Sequence, residues 1–222
     1  MQIPAFAGGT RAEQVVFEAI NRVMATSGHI MKGGTIVDAT IIDAPSSTKN
    51  KDKKRDPEMH SAKKGNQWRF GMKCHVGVDA GSGLAHTIVT TSANVHDVTV
   101  SSELIREDDE VVYGDSGYLG IQKRPEVAND GHLSTIDYRI NLRPGRFPKV
   151  SDNAIDWTRY IEKRKSSVRC KVEHIFRIIK CQFGYSKVRY RGLKKNENRL
   201  YAMFACANLY ALAIAGRRLQ KA

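Results

Sequence analysis

The chain reads as an α/β protein, a mixed sheet flanked by helices. Three features predict this class. Short β-branched runs recur between segments of helical period. Two of those runs are joined by the turn Asp79-Ala80-Gly81-Ser82-Gly83, which is a hairpin signal. From Trp157 onward the pattern turns helical.

The elements run in this order. Residues 1–34 are expected to form a short helical segment or linker. Met1 to Thr10 is Pro/Gly/Ala-rich without periodicity, whereas Val15, Val16, Ala19, Ile20 and Val23 give residues 12–24 an apolar stripe of helical spacing. Gly28 and the pair Gly33-Gly34 end it. Thr35 to Asp43 is apolar on both alternating faces, as in a strand covered on both sides. Residues 46–66 are polar and basic and read as a loop. Residues 68–79 and 84–91 make the hairpin. Asp97 to Arg106 has a helical pattern with a carboxylate at its start, where the helix dipole favours it. Residues 110–113 form a short strand, 121–129 a helix interrupted by Pro125, and 137–142 a further strand. Val168, Val172, Ile175, Phe176, Ile179 and Phe183 make a helical stripe. A basic turn region, 187–195, precedes a last helix over 198–219. The order strand, strand, strand, helix, strand, helix, strand, helix, helix is that of a ribonuclease-H-like fold, placed over residues 35–219.

Charge narrows the function. The 222 residues carry 36 Lys+Arg against 23 Asp+Glu, a formal net charge of +13. Such an excess points to a polyanion, either a nucleic acid or an anionic membrane surface. No apolar run predicts a membrane span, and no N-terminal signal pattern predicts export. The base is clustered. Residues 49–73 carry net +6 and residues 151–222 net +12, while residues 74–150 carry −4. A non-specific nucleic-acid glue would spread its charge, whereas an enzyme with carboxylates in a basic channel has this distribution. Cys74, Cys170, Cys181 and Cys206 form no C-x-x-C pair and no zinc-spaced cluster. They are expected to be reduced thiols of a cytoplasmic protein, with Cys206 in the core.

Three carboxylates stand out. Asp38 lies inside the first strand, where an ionised group is costly unless paired or metal-bound. Asp43, at the end of that strand, is expected to be solvated. Asp115 comes just after the short strand 110–113, at a sheet's carboxyl edge, where side chains converge. Glu173 lies beside the helical stripe, with Arg169, Arg177 and Lys180 at i−4, i+4 and i+7 on roughly its face. Two-metal phosphoryl transfer needs about three carboxylates around ions roughly 3.5–4 Å apart, and magnesium favours such oxygen ligands. Each residue also has a plainer reading: Glu173 in surface i,i+4 pairs, Asp115 as a turn residue, Asp38 as a buried hydrogen-bonded carboxylate. Trp68 and Phe70 are expected to pack on the sheet, with base stacking as the alternative. His96 is expected to cap the helix after it, and His75 and His86 to be ordinary strand residues. Lys49, Lys53, Lys54, Arg55, Lys63 and Lys64 are expected to contact phosphates, as are Arg169, Lys180, Arg189 and Arg191.

Several stretches together resemble insertion-sequence DDE transposases of the IS-five group. They are Thr35 to Ile42 around Asp38, Ala44 to Lys51, Lys64 to Lys73, Ala93-Asn-Val-His-Asp97, Tyr113-Gly-Asp115-Ser-Gly-Tyr118, and Lys171 to Leu193 around Glu173 and Lys180. The likeness runs from about Gly33 to Arg218. It implies a ribonuclease-H-like catalytic domain with the triad Asp38, Asp115 and Glu173 as catalytic residues and metal ligands. It also implies two Mg²⁺ or Mn²⁺ ions, cleavage at terminal inverted repeats, and strand transfer into target DNA. Double-stranded DNA is then the partner, with a homodimer assembled on it in the bacterial cytoplasm at the nucleoid. The related signature Y-x-x-R-x-x-x-E-x-x-x-x-x-x-K matches at Arg169, Glu173 and Lys180, with Ser166 where the Tyr would stand. Similar transposases carry a helical DNA-binding domain before the first catalytic strand. Only about 34 residues precede it here, so an N-terminally truncated copy is expected. The rival readings are another ribonuclease-H-like nuclease, such as a resolvase, and a non-catalytic DNA-binding remnant.

Overall fold

The computed structural model of the chain describes residues 12–30, 32–51, 53–147 and 156–219. The Met1 to Thr10 segment lies outside them. Six strands form one sheet: β1 (Thr35–Asp43), β2 (His60–Lys64), β3 (Gln67–Asp79), β4 (Ala85–Ser92), β5 (Val111–Gly114) and β6 (Asp137–Ile140). β3 runs antiparallel to β1 from Thr35↔Asp79 to Asp43↔Gly71. On its other side, β2 pairs residues 67–71 of β3 and β4 pairs residues 72–78. β1, β5 and β6 are parallel neighbours. The mixed sheet flanked by helices is the α/β class expected, and it is consistent with the ribonuclease-H-like fold.

Alternation along β1 splits the core in two. Ile36 and Ile42 face a layer built from α1 (Ala12–Thr26), α4 (Lys171–Arg177) and α5 (Leu193–Leu219), where they meet Phe17, Val172, Ile175 and Phe204. Val37 faces the opposite layer with Leu104, Val112, Tyr118 and Val127. That second layer is made of 3-10 turns at Asp97–Leu104, Ser116–Tyr118 and Ile121–Lys123 and of the short helix α2 (Pro125–Ala128). Pro125 opens α2 at its first position, where a missing N–H costs nothing. α3 (Trp157–Arg169) leads into α4. Buried Glu162 ties it to the edge of the sheet by accepting from Asn141 Nδ2 (2.9 Å) and the Leu142 N–H (2.8 Å).

Several expectations need correction. Residues 60–64 of the expected loop are strand β2. Its sequence His-Ser-Ala-Lys-Lys has no apolar alternation, because β2 widens the sheet at an exposed edge and buries almost nothing. The Asp97 segment is a 3-10 turn rather than an α-helix. His96 stands at its cap position without a side-chain bond, and Asp97 pairs with Lys73 at 2.8 Å. Asp43 is held by Arg69, whose Nε donates at 2.8 Å. Cys206 is exposed on α5 rather than in the core; all four thiols are free. α5 starts at Leu193, and the Leu193–Gly216 helix contains an 18-residue window of mean hydropathy 1.3, long and apolar enough to cross a membrane. Its buried face, Leu200, Phe204, Ala207 and Asn208, is that of a core helix on the sheet. Asn208 grips β4 there, accepting from the Ala85 N–H (2.9 Å) and donating to the Ala85 carbonyl (2.7 Å).

One glycine fixes the start of β1. Gly34 has φ +101°, and a Cβ on it would stand 2.3 Å from the Val111 carbonyl oxygen. The absent side chain lets β1 begin hard against β5. A buried ion cluster braces the same end: Arg106 Nη2 meets Asp109 Oδ1 at 2.8 Å and Asp79 Oδ1 at 3.2 Å.

Candidate functional site

The parallel register of β1 and β5 runs Thr35↔Val112, Ile36↔Tyr113. Carried forward two residues, it sets Asp115 beside Asp38, with neighbouring strands about 4.8 Å apart. Alternation puts both on the face that carries Ile36 and Tyr113, the face covered by α4. α4 is anchored there by Val172, Ile175 and Phe176, which are buried, so Glu173 rides next to the sheet while its own side chain stays exposed.

The carboxylates feel one another. Burial, then the charges of Asp115 and Glu173, push the Asp38 carboxyl up to about 7. The Ala39 N–H, donating to Oδ1 at 2.7 Å, and the Arg169 guanidinium pull the other way. Asp115 also does the work of a turn residue: its Oδ1 accepts from the Gly117 N–H at 2.8 Å and caps the turn 116–118. Arg169 sits at the end of α3, donating from Nη1 to Asn141 Oδ1 at 3.2 Å. Its buried Nε has no hydrogen-bond partner among the described residues. Arg169, Asp115, Ser116, Asn141 and Ser166 line one cleft of about 300 Å³. Tyr118, whose buried hydroxyl also lacks a partner among those residues, lies within the fields of Asp38, Asp97 and Asp115. Burial first, and then those charges, raise its pKa far above 10. His75 and His86 are held neutral by burial, each down to about 4.

The helix is π-helical over Ile178–Gln182. Within this turn Lys180 Nζ donates to the Ile41 carbonyl of β1 at 2.8 Å. Burial, together with the nearby Arg69 and Lys64, lowers its pKa.

The remaining basic residues gather at the far end of β1. Asp43 pairs with the segment after the π turn: its N–H donates to the Ser186 carbonyl (3.1 Å) and its carbonyl accepts from the Val188 N–H (2.8 Å). This carries Arg189 and Arg191 to the loop that bears Lys49, Lys53, Lys54 and Arg55. Lys54, Arg55, Arg189, Tyr190 and Arg191 line one cleft of about 250 Å³. Asp56 and Glu58 hold the two segments together by accepting from the Gly192 and Leu193 N–H groups at the start of α5, at 2.7 and 2.5 Å. Lys63 and Lys64 stand exposed on β2. Trp68 is 72% exposed rather than packed on the sheet, while Phe70 does pack on the core.

The sequence model of the family described as Transposase DDE domain matches residues 30–209. The chain belongs to this family of DDE transposases. No solved structure matches it. As a DDE transposase it is a metal-dependent enzyme acting on DNA by family.

Carboxylate oxygens are the donors a hard divalent cation takes, and Asp38 is a carboxylate whose proton affinity is raised by burial first and then by the charges of Asp115 and Glu173. Among the described residues, no three His, Cys, Asp or Glu side chains approach closely enough to share an ion in this conformation. Sequence reasoning passed over Asn141, which orients Arg169, and Glu162, which orients Asn141. Their signal was the position of Asn141 directly after a short strand, at the same sheet edge as Asp115.

Proposed function

We propose that this transposase belongs to the IS-five group, cleaves DNA at the terminal inverted repeats of its element and joins the freed 3′ ends to target DNA. Asp38, Asp115 and Glu173 are the catalytic carboxylates and the ligands of Mg²⁺ or Mn²⁺. The observation that supports the reading is the β1–β5 register, which carried forward two residues sets Asp115 beside Asp38, together with the charges of Asp115 and Glu173 acting on the buried Asp38 carboxyl.

In cleavage a water oxygen bonds to the scissile phosphorus and the P–O3′ bond breaks, so the 3′ oxygen leaves with a proton and the phosphate stays on the 5′ end. In joining, the freed 3′-hydroxyl attacks a target phosphorus and displaces the target's own 3′ oxygen. When bound, Mg²⁺ or Mn²⁺ would supply Lewis acidity toward the attacking hydroxyl and the leaving oxygen. The chain's residues hold the parts. Arg169, fixed by Asn141, opposes phosphate charge in the cleft beside Asp115. Lys49, Lys53, Lys54, Arg55, Lys63, Lys64, Lys180, Arg189 and Arg191 carry the duplex along the far end of β1 by phosphate contacts. Two copies assemble on DNA, one at each element end, and the protein works at the nucleoid.

The test uses the purified chain and a plasmid carrying the element's ends. Cleavage and joining are expected in Mg²⁺ or Mn²⁺ and not in chelator. Asp38→Ala, Asp115→Ala and Glu173→Ala should each abolish both while leaving the unfolding transition cooperative. Full activity in any one removes that residue from the site. Binding without cleavage in either metal would leave the non-catalytic reading, and cutting of branched DNA without joining would leave the resolvase.

A further inference from the structure

We propose that the β2–β3 hairpin is a second nucleic-acid subsite, in which Trp68 stacks on an unpaired DNA base. The proposal rests on the reading of the chain as an enzyme that opens DNA strands. Trp68 is 72% exposed, and its surroundings specify what would cover it. Trp68 and Phe70 lie two residues apart and share one face of β3. Directly opposite them on β2 stand Lys63 and Ser61. The Phe70 ring packs on the core and carries the Arg55 guanidinium at 5.4 Å from its centroid. A groove of about 700 Å³ opens here, lined by Trp68, Phe70, Pro45, Ser46, Arg55 and Lys187.

An aromatic platform rimmed by Lys and Arg matches a chain of π-faces on an anionic backbone. Bases inside a duplex already stack on each other and offer no free face to a protein ring. The matching ligand is therefore a base that has left its pair. The face is also the right one. Phe70, Met72 and Val76 belong to one core layer, and Val76 is the register partner of Asp38. Trp68 thus opens on the carboxylate side of the sheet, eight residues along β3 from Val76. That is roughly 26 Å at the rise of a strand, and a nucleic-acid strand covers it in about eight nucleotides at about 3.4 Å each. A strand end frayed after cleavage can lie along this path.

The chain has two tryptophans, so Trp157→Phe leaves Trp68 as the only indole. This protein is titrated, at about 100 mM salt, with a blunt duplex and with the same duplex bearing an unpaired tail of about ten nucleotides. The tailed DNA should quench Trp68 emission. Adding Trp68→Ala should weaken tailed binding by about 5- to 150-fold, leave blunt binding within about twofold, and leave the melting curve in place; Trp68→Phe should recover most of the loss. An equal loss on both DNAs, or no loss on the tailed one, overturns the subsite. Tight binding to both with silent Trp68 emission overturns it while sparing the DNA-processing reading, whereas no binding to either overturns both. Tighter binding of an RNA tail than of the DNA tail overturns the assignment to DNA.

Discussion

Replacing Asp38 with Asn keeps the side chain's shape and removes its charge. In the fold the Asp38 carboxyl rises from an ordinary 3.8 to about 7. Each tenfold change in proton affinity is worth about 1.4 kcal/mol. Ionising Asp38 inside the metal-free fold therefore costs on the order of 2–4 kcal/mol, after allowance for the solvent that reaches it. The sign comes from proton counting. Between about pH 4 and pH 7 the folded chain keeps the Asp38 proton and the unfolded chain has lost it, so stability falls as pH rises through that window. Above the window the full cost is present; below it there is none. His75 and His86, kept neutral by burial, act the other way as pH falls from about 6.5 towards 4. The difference between parent and variant isolates Asp38. Urea unfolding in chelator should find Asp38→Asn more stable than the parent by about 2–4 kcal/mol at about pH 8 and equal to it near pH 4. Mn²⁺ should then stabilise the parent and not the variant. A variant no more stable than the parent at about pH 8 would refute the claim that a buried, uncompensated charge sits there waiting for a cation.

Three further outcomes are expected. Arg106→Leu leaves Asp79 and Asp109 buried without their shared cation and should cost about 3–5 kcal/mol in urea unfolding. Asn208→Ala frees the Ala85 N–H and carbonyl on the inner face of α5 and should cost about 2–3 kcal/mol. Lys54→Glu with Arg189→Glu, on the two walls of one basic cleft, should weaken duplex binding and reduce the slope of log affinity against log salt by about 2 in a fluorescence titration, with the melting curve unmoved.

Much of this fold is legible in the sequence, because its strands are written in burial. β1, β3 and β4 fill a core on one or both faces, and β-branched runs in β1 and β4, with the hairpin turn after β3, mark them within a residue or two. β2 leaves no such mark, since an edge strand that buries nothing has no apolar pattern to read. The 3-10 turn at 97–104 carries the apolar residues of a helix, and its departure from α geometry is set by packing against β1 and β3. At the site, Asp38 declares itself through the cost of a carboxylate inside a strand. Its pairing with Asp115 depends on register, which a single sequence does not state. The π-helical turn at 178–182 and the Lys180 bond to the Ile41 carbonyl within it carry no mark in the sequence, because its residues read as an ordinary helix. Trp68 and Cys206 share one cause: apolar letters in apolar neighbourhoods are read as core, although each points outward from its element.

The order in which the chain is made bears on the position of α4. Asp38 and Asp115 become neighbours as soon as β1 and β5 pair, both early in synthesis. Glu173 comes 135 residues after Asp38, on a helix that docks between the sheet and α5. A nascent chain whose α5 is still inside the ribosome holds two of the proposed carboxylates and lacks a platform for the third. On the proposed reading, competence to cut would arrive only once α5 has emerged and docked, because Leu200 and Phe204 of α5 complete the core that seats α4.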